Sequence, residues 1–338
     1  MSTTTYIIVA IVLLLLELLY FKFAARFGIV DRPSKRGSSQ SVVLRGGGII
    51  FPIAALLLFF VDGFQQPLFI LGLLIVSVLS FIDDIRSLSP KLRLPIQFVG
   101  MLMLVIQLLS ATDRHLTVVS AALILIIGLI VCTGAMNVFN FMDGINGITG
   151  GYAFVVLCAI LYVFGDNGTL CGFMNDYNVP GSIYSLAIFA LIADLVFCFF
   201  NFRKHARCFA GDVGSVSIAF IILFLLGFIM VETNNVSWLA FIVVFGVDGS
   251  LTIIHRLMLH ENISLPHRKH AYQIMANELH IPHLVVSLVY MALQAACCAA
   301  YIVFPGYVTL LVEIAILSLA YIAFMLKFYH LHAENGNA

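Results

Sequence analysis

Eleven apolar runs, each near the length that crosses a lipid bilayer, occupy most of this 338-residue chain. They lie at approximately 4–23, 47–61, 67–82, 94–111, 117–137, 151–165, 183–200, 215–231, 237–254, 283–304 and 307–327. A helical span needs about 20 mostly apolar residues. In lipid each backbone amide must be satisfied within its own segment, so such runs predict helices. Composition agrees, with 62% of residues hydrophobic and 10% charged. Soluble domains carry about 25% charged residues. The expectation is an all-α polytopic membrane protein with about 11 transmembrane helices, built as one transmembrane domain over residues 1–338.

Orientation follows from lysine and arginine, which accumulate in cytoplasmic loops. Eleven spans put sixteen of the 17 basic residues on one side and leave Arg114 on the other. The N-terminus is therefore expected on the periplasmic side and the C-terminus in the cytoplasm. The first run has no basic segment before it and no small-residue cleavage site after it, so it reads as a retained anchor. Net charge is zero, which argues against a nucleic-acid partner. The seven cysteines form no CxxC pair, and buried free thiols are the expectation. The Gly/Asn-rich stretch 166–182 reads as a plain connector.

The chemistry-bearing residues collect on the basic side, in 24–46, 83–93, 137–151, 201–215 and 255–282. Ionisable groups at the membrane are costly and are usually functional. The segment FIDDIRSLSPKLRL pairs Asp83 with Asp84, followed by Lys91 and Arg93. Adjacent carboxylates suit a divalent cation or a base, and the basic residues suit a phosphate. The plain alternative is a solvated helix end. In NVFNFMDGINGITGG, Asn137, Asn140 and Asp143 are spaced by three, which shares one helix face. Those groups, with Asn146, can ligate Mg²⁺ or hydrogen-bond a base. Gly144, Gly147, Gly150 and Gly151 permit close approach of a ligand to the backbone. A helix terminator with asparagine caps is the alternative there.

Asp212, between glycines in CFAGDVGS, opens the eighth span beside Arg203, Lys204, His205 and Arg207. It reads either as part of an anion or metal site or as an N-cap. His267, Arg268, Lys269 and His270 form a cluster able to neutralise a diphosphate or protonate a leaving phosphate. A headgroup-binding patch is the alternative. Gly46, Gly47 and Gly48 precede a span beside Arg45, which points to close packing or ligand approach.

In this order the segments resemble one family, the polyprenyl-phosphate N-acetylhexosamine-1-phosphate transferases (glycosyltransferase family 4), in its bacterial branch of eleven spans. The matching pieces are DRPSKR…RGGG (31–48), Asp83-Asp84 to Arg93, NVFNFMDGINGITGG (137–151), AGDVGS (210–215) and PHRKHAYQ (266–273). The resemblance implies transfer of a sugar 1-phosphate from a UDP-N-acetylhexosamine or related UDP-sugar to undecaprenyl phosphate. UMP is released, Mg²⁺ or Mn²⁺ is the cofactor, and the product starts an O-antigen, capsule or similar polysaccharide at the inner membrane. It implies Asn140 and Asp212 as metal ligands, Asp83 and Asp84 as essential carboxylates, and Asn146 at the uracil. His267, Arg268, His270 and Arg93 would surround the diphosphate, and a homodimer is reasonable.

The chain departs from the pattern at three points. A first-loop histidine is replaced by Ser39 or Gln40, the second acidic position of DGxDG is Asn146, and the histidine cluster is HRKH. Direct attack of the lipid phosphate, with Asp83 assisting, is the expected route, and a covalent aspartyl intermediate is its rival. A secondary transporter using Glu17, Asp194 and Asp248 in mid-span is the alternative from another class. A non-catalytic assembly subunit would need the carboxylates to be dispensable.

Overall fold

The computed structural model describes residues 1–31, 42–111, 117–165, 179–262 and 267–335, the side chains of 332–335 excepted. Arg32, Lys35, Arg36, Ser39, Gln40, Arg114, Cys171 and most of the 166–182 connector therefore lie outside the described residues.

Every apolar run is helical. In chain order the elements are α1 (Thr3–Phe27), β1 (Val30–Asp31), β2 (Val43–Leu44), a 3₁₀ turn (Gly47–Ile49), α2 (Ile50–Val61), α3 (Pro67–Ile85), α4 (Pro90–Ala111) and α5 (Val118–Met142). They continue through α6 (Ile148–Phe164), α7 (Gly181–Asn201), α8 (Gly211–Thr233), a 3₁₀ stretch (Val236–Ile242) and α9 (Val243–Met258). The short α10 (Ala271–Gln273), a π-turn (Ile274–Glu278), α11 (His283–Val303) and α12 (Tyr307–Asn335) complete the chain. Among the described residues nine helical segments are long and apolar enough to cross a membrane. The segments Gly47–Val61 and Ile148–Phe164 are apolar but shorter. The chain is a multi-pass, almost wholly helical membrane protein.

Two departures from the expected pattern bear on the site. The helices run further than the apolar runs at their polar ends, so Asp83, Asp84, Asn140 and Asp212 lie in terminal helical turns beyond those runs. A hydropathy pattern stops at the first polar residue, whereas a helix continues when that side chain finds a partner on a neighbour. The second departure is a small patch of strand. Val30 pairs with Leu44 and Asp31 with Val43 in antiparallel register, and Leu44 bridges in parallel to Cys208. This patch ties the chain after α1 to the chain before α8.

Helix α8 is buried along almost its whole length and forms the centre. Around it α3, α4 and α5 pack on one side, α6 joins α7 and α11, and α12 lies against α9. Without a water-driven hydrophobic effect, spans associate through close approach and interhelical hydrogen bonds. Both occur here: Gly72 of α3 meets Gly100 of α4, and Ser77 of α3 shares a 2.7 Å hydrogen bond with Ser217 of α8. Gly48 is tighter still, because a Cβ there would collide with the backbone of Gly214 in α8. The amides of Gly47 and Gly48 donate to Phe209 and Ala210 at 2.9 and 3.1 Å. The glycine triplet therefore serves helix packing.

Candidate active site

Asp84, at the end of α3, is buried, and its carboxylate serves the start of α8. It accepts the backbone amides of Asp212 and Val213 at 2.9 and 3.0 Å. Those amides belong to the first turn of a helix, where N–H groups have no intrahelical partner and favour negative charge. Gly211 adopts φ +70, and a Cβ there would strike the Asp84 carboxylate, so glycine is required for this approach. Asp212 itself sits inside the helix, after the capping position at Ala210. It is not an N-cap; the capping carboxylate comes from another helix.

Two arginines complete the arrangement. Arg45 Nε lies 2.7 Å from Asp84, and another nitrogen of the same guanidinium lies 3.7 Å from Asp212 Oδ1. Arg93 lies 2.7 Å from Asp83 and 3.7 Å from Asp212 Oδ2. Each member of the Asp83-Asp84 pair thus has its own arginine, and both arginines reach Asp212 from opposite sides. Asp83 also accepts the amide of Leu88, which closes the turn between α3 and α4. Arg45 is held by its backbone: Tyr20 donates to its carbonyl at 2.6 Å, and its amide donates to Ile29 at 3.1 Å. Burial opposes the Arg45 charge, but Asp84, Asp212 and Asp31 outweigh it and push the guanidinium pKa up.

Asp212 and Arg45 open onto a polar cavity of about 230 Å³, whose wall also includes Asn140, Asp143, Gly144, Asn146, Asn201, Gln273 and His283. Asn140, in the last turn of α5, donates its Nδ2 to Ser215 at 3.2 Å. Ser215 lies one turn beyond Asp212, so this bond points α5 at α8 and leaves the Asn140 amide oxygen for a ligand. Asp143 follows α5 and accepts the Thr149 hydroxyl at 2.7 Å. Burial pushes its carboxyl up to about 6, against the lowering effect of that hydrogen bond. Asn146 donates to the carbonyls of Arg203 and Lys204 at 3.0 and 3.3 Å, so its NH₂ anchors the chain before α8.

Other expected residues stand apart from this cavity. Asn137 bonds to Gln97 of α4 at 3.2 Å and to Thr133 at 2.9 Å, which makes it a helix–helix contact. Lys91 is exposed in the first turn of α4. The glycines of the α5–α6 segment, Gly144 of the cavity wall included, have protein side chains where a Cβ would stand. Gly144 is covered by Tyr272, Gly147 by Phe202, Gly150 by Cys198 and Gly151 by Met291.

The histidine cluster lies behind the Phe141–Gly144 turn. His267 meets Phe141 edge-on at 6.3 Å and His270 at 4.9 Å between ring centres. Burial, reinforced by His270 and Arg256, pushes His267 down to about 3, so its ring is neutral near pH 7. His270 is fully buried and lies 3.2 Å from Asp248. Lys269 and Arg256 are both paired with Glu261. Arg268 is half-buried and does not line the cavity. Glu17, Asp194 and Asp248, the candidates for a transport path, are buried and line neither this cavity nor the apolar groove described below.

Sequence reasoning did not single out Asp31, Asn201, Gln273 or His283, and gave Arg45 no role of its own. Asn201 accepts the Gly147 amide and donates to the Cys208 carbonyl, both at 2.8 Å, joining two walls of the cavity. A polar residue ending an apolar span on the basic side was its available signal.

Comparison with known proteins shows what the chain is similar to. The profile of the family described as glycosyl transferase family 4 matches residues 67–233, from the start of α3 to the end of α8. A Bacillus subtilis (strain 168) protein named "Probable undecaprenyl-phosphate N-acetylglucosaminyl 1-phosphate transferase" is 26% identical over 288 residues, 79% of this chain and 76% of the relative. The undecaprenyl-phosphate alpha-N-acetylglucosaminyl 1-phosphate transferase of Escherichia coli O157:H7 is 27% identical over 329 residues, 91% of this chain and 85% of the relative. The Yersinia pestis protein of the same name is 25% identical over 334 residues, with the same two coverages. The matched span holds Asp83, Asp84, Asn140, Asp143 and Asp212, and over it the chain is similar to glycosyl transferase family 4.

Proposed function

We propose that this chain transfers a sugar 1-phosphate from a UDP-N-acetylhexosamine, or a related UDP-sugar, to undecaprenyl phosphate, releasing UMP. The observation that carries this reading is Asp212, held between Arg45 and Arg93 at the mouth of a polar cavity. Two anions, a diphosphate and a lipid phosphate, must meet, so negative charge is the main obstacle. A site with fixed cations and a carboxylate ready to take a divalent metal answers that obstacle.

The residues fit Mg²⁺ or Mn²⁺. Asp212 offers a carboxylate that its arginines approach only to 3.7 Å, and Asn140 offers an amide oxygen. Among the described residues no three His, Cys, Asp or Glu side chains converge as a metal cage. That suits a hard cation held by one or two carboxylates plus substrate phosphates. When bound, the cation supplies charge neutralisation across the diphosphate.

The chain's own residues orient the reaction. The lipid phosphate is mostly ionised near neutral pH, its second pKa being about 6. Its oxygen forms a bond to the β-phosphorus of the donor while the bond from that phosphorus to the UMP oxygen breaks. Arg45 and Arg93 hold the carboxylates and offset the charge that collects on UMP. Asp83, paired with Arg93 at 2.7 Å, orients the attacking phosphate.

We assign the lipid chain to an apolar groove of about 500 Å³ between α5, α9 and α12, lined by Val131, Gly134 and Val138. With sixteen of 17 basic residues on the site's side, the cavity is assigned to the cytoplasmic face of a bacterial inner membrane, and the eleven helical segments to eleven crossings. The product then starts a cell-envelope polysaccharide. The test is UMP release from a panel of UDP-sugars with undecaprenyl phosphate and Mg²⁺ in detergent. Folded protein that turns over none of them overturns the reading.

A further inference from the structure

The buried carboxylate of Asp248, on α9, gathers donors from its own helix and from two other parts of the chain. Its Oδ1 lies 3.2 Å from His270 Nδ1 and accepts the Ala271 amide at 3.2 Å and the Thr252 hydroxyl at 3.1 Å. Its Oδ2 accepts the Tyr290 hydroxyl of α11 at 2.5 Å. Thr252 in turn shares a 2.9 Å bond with Tyr321 of α12. A buried charge with this many donors is fully satisfied, so the cluster is rigid.

The tautomer of His270 follows. A carboxylate bonded by donors on both oxygens has no proton to give, so His270 Nδ1 must carry one. His270 Nε2 is buried and without a hydrogen-bond partner among the described residues, so a proton there would be an unsatisfied donor. The opposite tautomer would face Nδ1 against the carboxylate and bury an unsatisfied N–H, both of which cost free energy.

From His270 the contacts lead to the cavity. The ring stacks on Tyr272 at 5.7 Å with 26° between planes. Tyr272 covers Gly144 and donates to the Phe141 carbonyl at 2.9 Å. Gly144 and Gln273 both belong to the cavity wall. On its other side the same imidazole supports His267.

We propose that Asp248 is a positioning residue: by fixing His270 with its proton on Nδ1, together with the Ala271 amide, it sets the 267–273 segment against the Phe141–Gly144 turn. It thereby shapes the wall that receives the donor's diphosphate. This rests on the transferase reading of the cavity. Asp212, Arg45 and Arg93 are anchored by contacts that do not include Asp248, so Asp248 acts on the donor through His270.

The test combines a spectroscopic and a kinetic arm. In histidine-¹⁵N-labelled protein, with His270→Gln supplying the assignment, His270 should report the Nδ1–H tautomer. Asp248→Asn, whose amide tolerates either tautomer, should lose that preference. A wild-type Nε2–H signal overturns the proposal, and this arm needs no turnover. In the UMP-release assay Asp248→Asn should cut kcat/KM for the donor by about 10–100-fold, as supporting residues of a site do. The Asp248→Asn/His270→Gln double variant should be no worse than the weaker single variant. Losses that multiply overturn the proposal. Tyr290→Phe, which removes a different bond to the same carboxylate, should stay within about threefold of wild type; a loss equal to that of Asp248→Asn would mark a packing role and also overturn it. If the wild type turns over no UDP-sugar, the transferase reading falls; if it does and Asp248→Asn matches it, only this inference falls.

Discussion

Asp84 accepts the backbone amide of Asp212 at 2.9 Å, so two carboxylates 128 positions apart form one unit. The first holds the helix on which the second is displayed. Asp84→Ala should therefore lose activity by dislodging Asp212. Removing one member of a buried, fully bonded charge cluster costs about 3–5 kcal/mol. Thermal unfolding in detergent should show that destabilisation, whereas Asp212→Ala, at a more open side chain, should lose turnover with a much smaller change in midpoint.

Arg45 touches Asp84 through Nε and approaches Asp212 through a second nitrogen. An ammonium is a single point and cannot serve both positions. Arg45→Lys should keep the fold and reduce kcat by about 10–100-fold, the scale on which misplacement of a site group is felt. Activity within threefold of wild type would show that only its charge matters.

Asp143 titrates near 6 in the folded protein, above the ordinary value of 3.8, chiefly because it is buried. A raised carboxyl pKa means that the folded state holds the proton more tightly than the unfolded state. Its favourable contribution is thus present below about pH 4 and is lost as pH rises through about 6. Asp143→Asn removes this dependence. Relative to that variant, the wild-type unfolding midpoint should fall between pH 4 and 7, and parallel curves would refute the assignment.

Gly48→Ala should prevent α8 from seating, because the new methyl group would overlap Gly214 backbone. Backbone overlap in a packed core costs at least about 1–3 kcal/mol. Gly181→Ala, where a Cβ meets nothing within 4 Å, is the matched control. Expression and midpoint of the two variants decide the point.

Chelation by EDTA should abolish UMP release, and added Mg²⁺ or Mn²⁺ should restore it, while the unfolding midpoint without nucleotide moves little. Large destabilisation on chelation would instead point to a structural cage, which the oxygen donors Asp212 and Asn140 do not form.

The spans were legible because apolar runs of bilayer length have few other fates. The site was legible in kind: Asn140, Asp143, Asn146 and Asp212 do share one cavity. The division of labour was not. Sequence spacing presents Asp83 and Asp84 as a pair, whereas the folded chain gives Asp83 to Arg93 and Asp84 to α8. Nothing local encodes that choice, since it depends on which helix ends meet. Asn137 keeps the same three-residue spacing as Asn140 but turns to Gln97, because a helix rotates 300° over three residues and a neighbour decides the rest. The glycines suggested a ligand and instead accommodate Tyr272, Phe202 and Met291, a distinction that requires knowing what lies opposite.

The seam between Gly48 and Gly214 and the carboxylate cap from Asp84 have a mechanical consequence. Together they clamp the polar end of α8 to both α3 and the start of α2. Alternating access works by rocking one bundle of helices against another about a midplane site. A central helix clamped at one end by backbone contact and buried charge is a poor pivot for such motion. The polar end of α8 is thereby a fixed mount for Asp212.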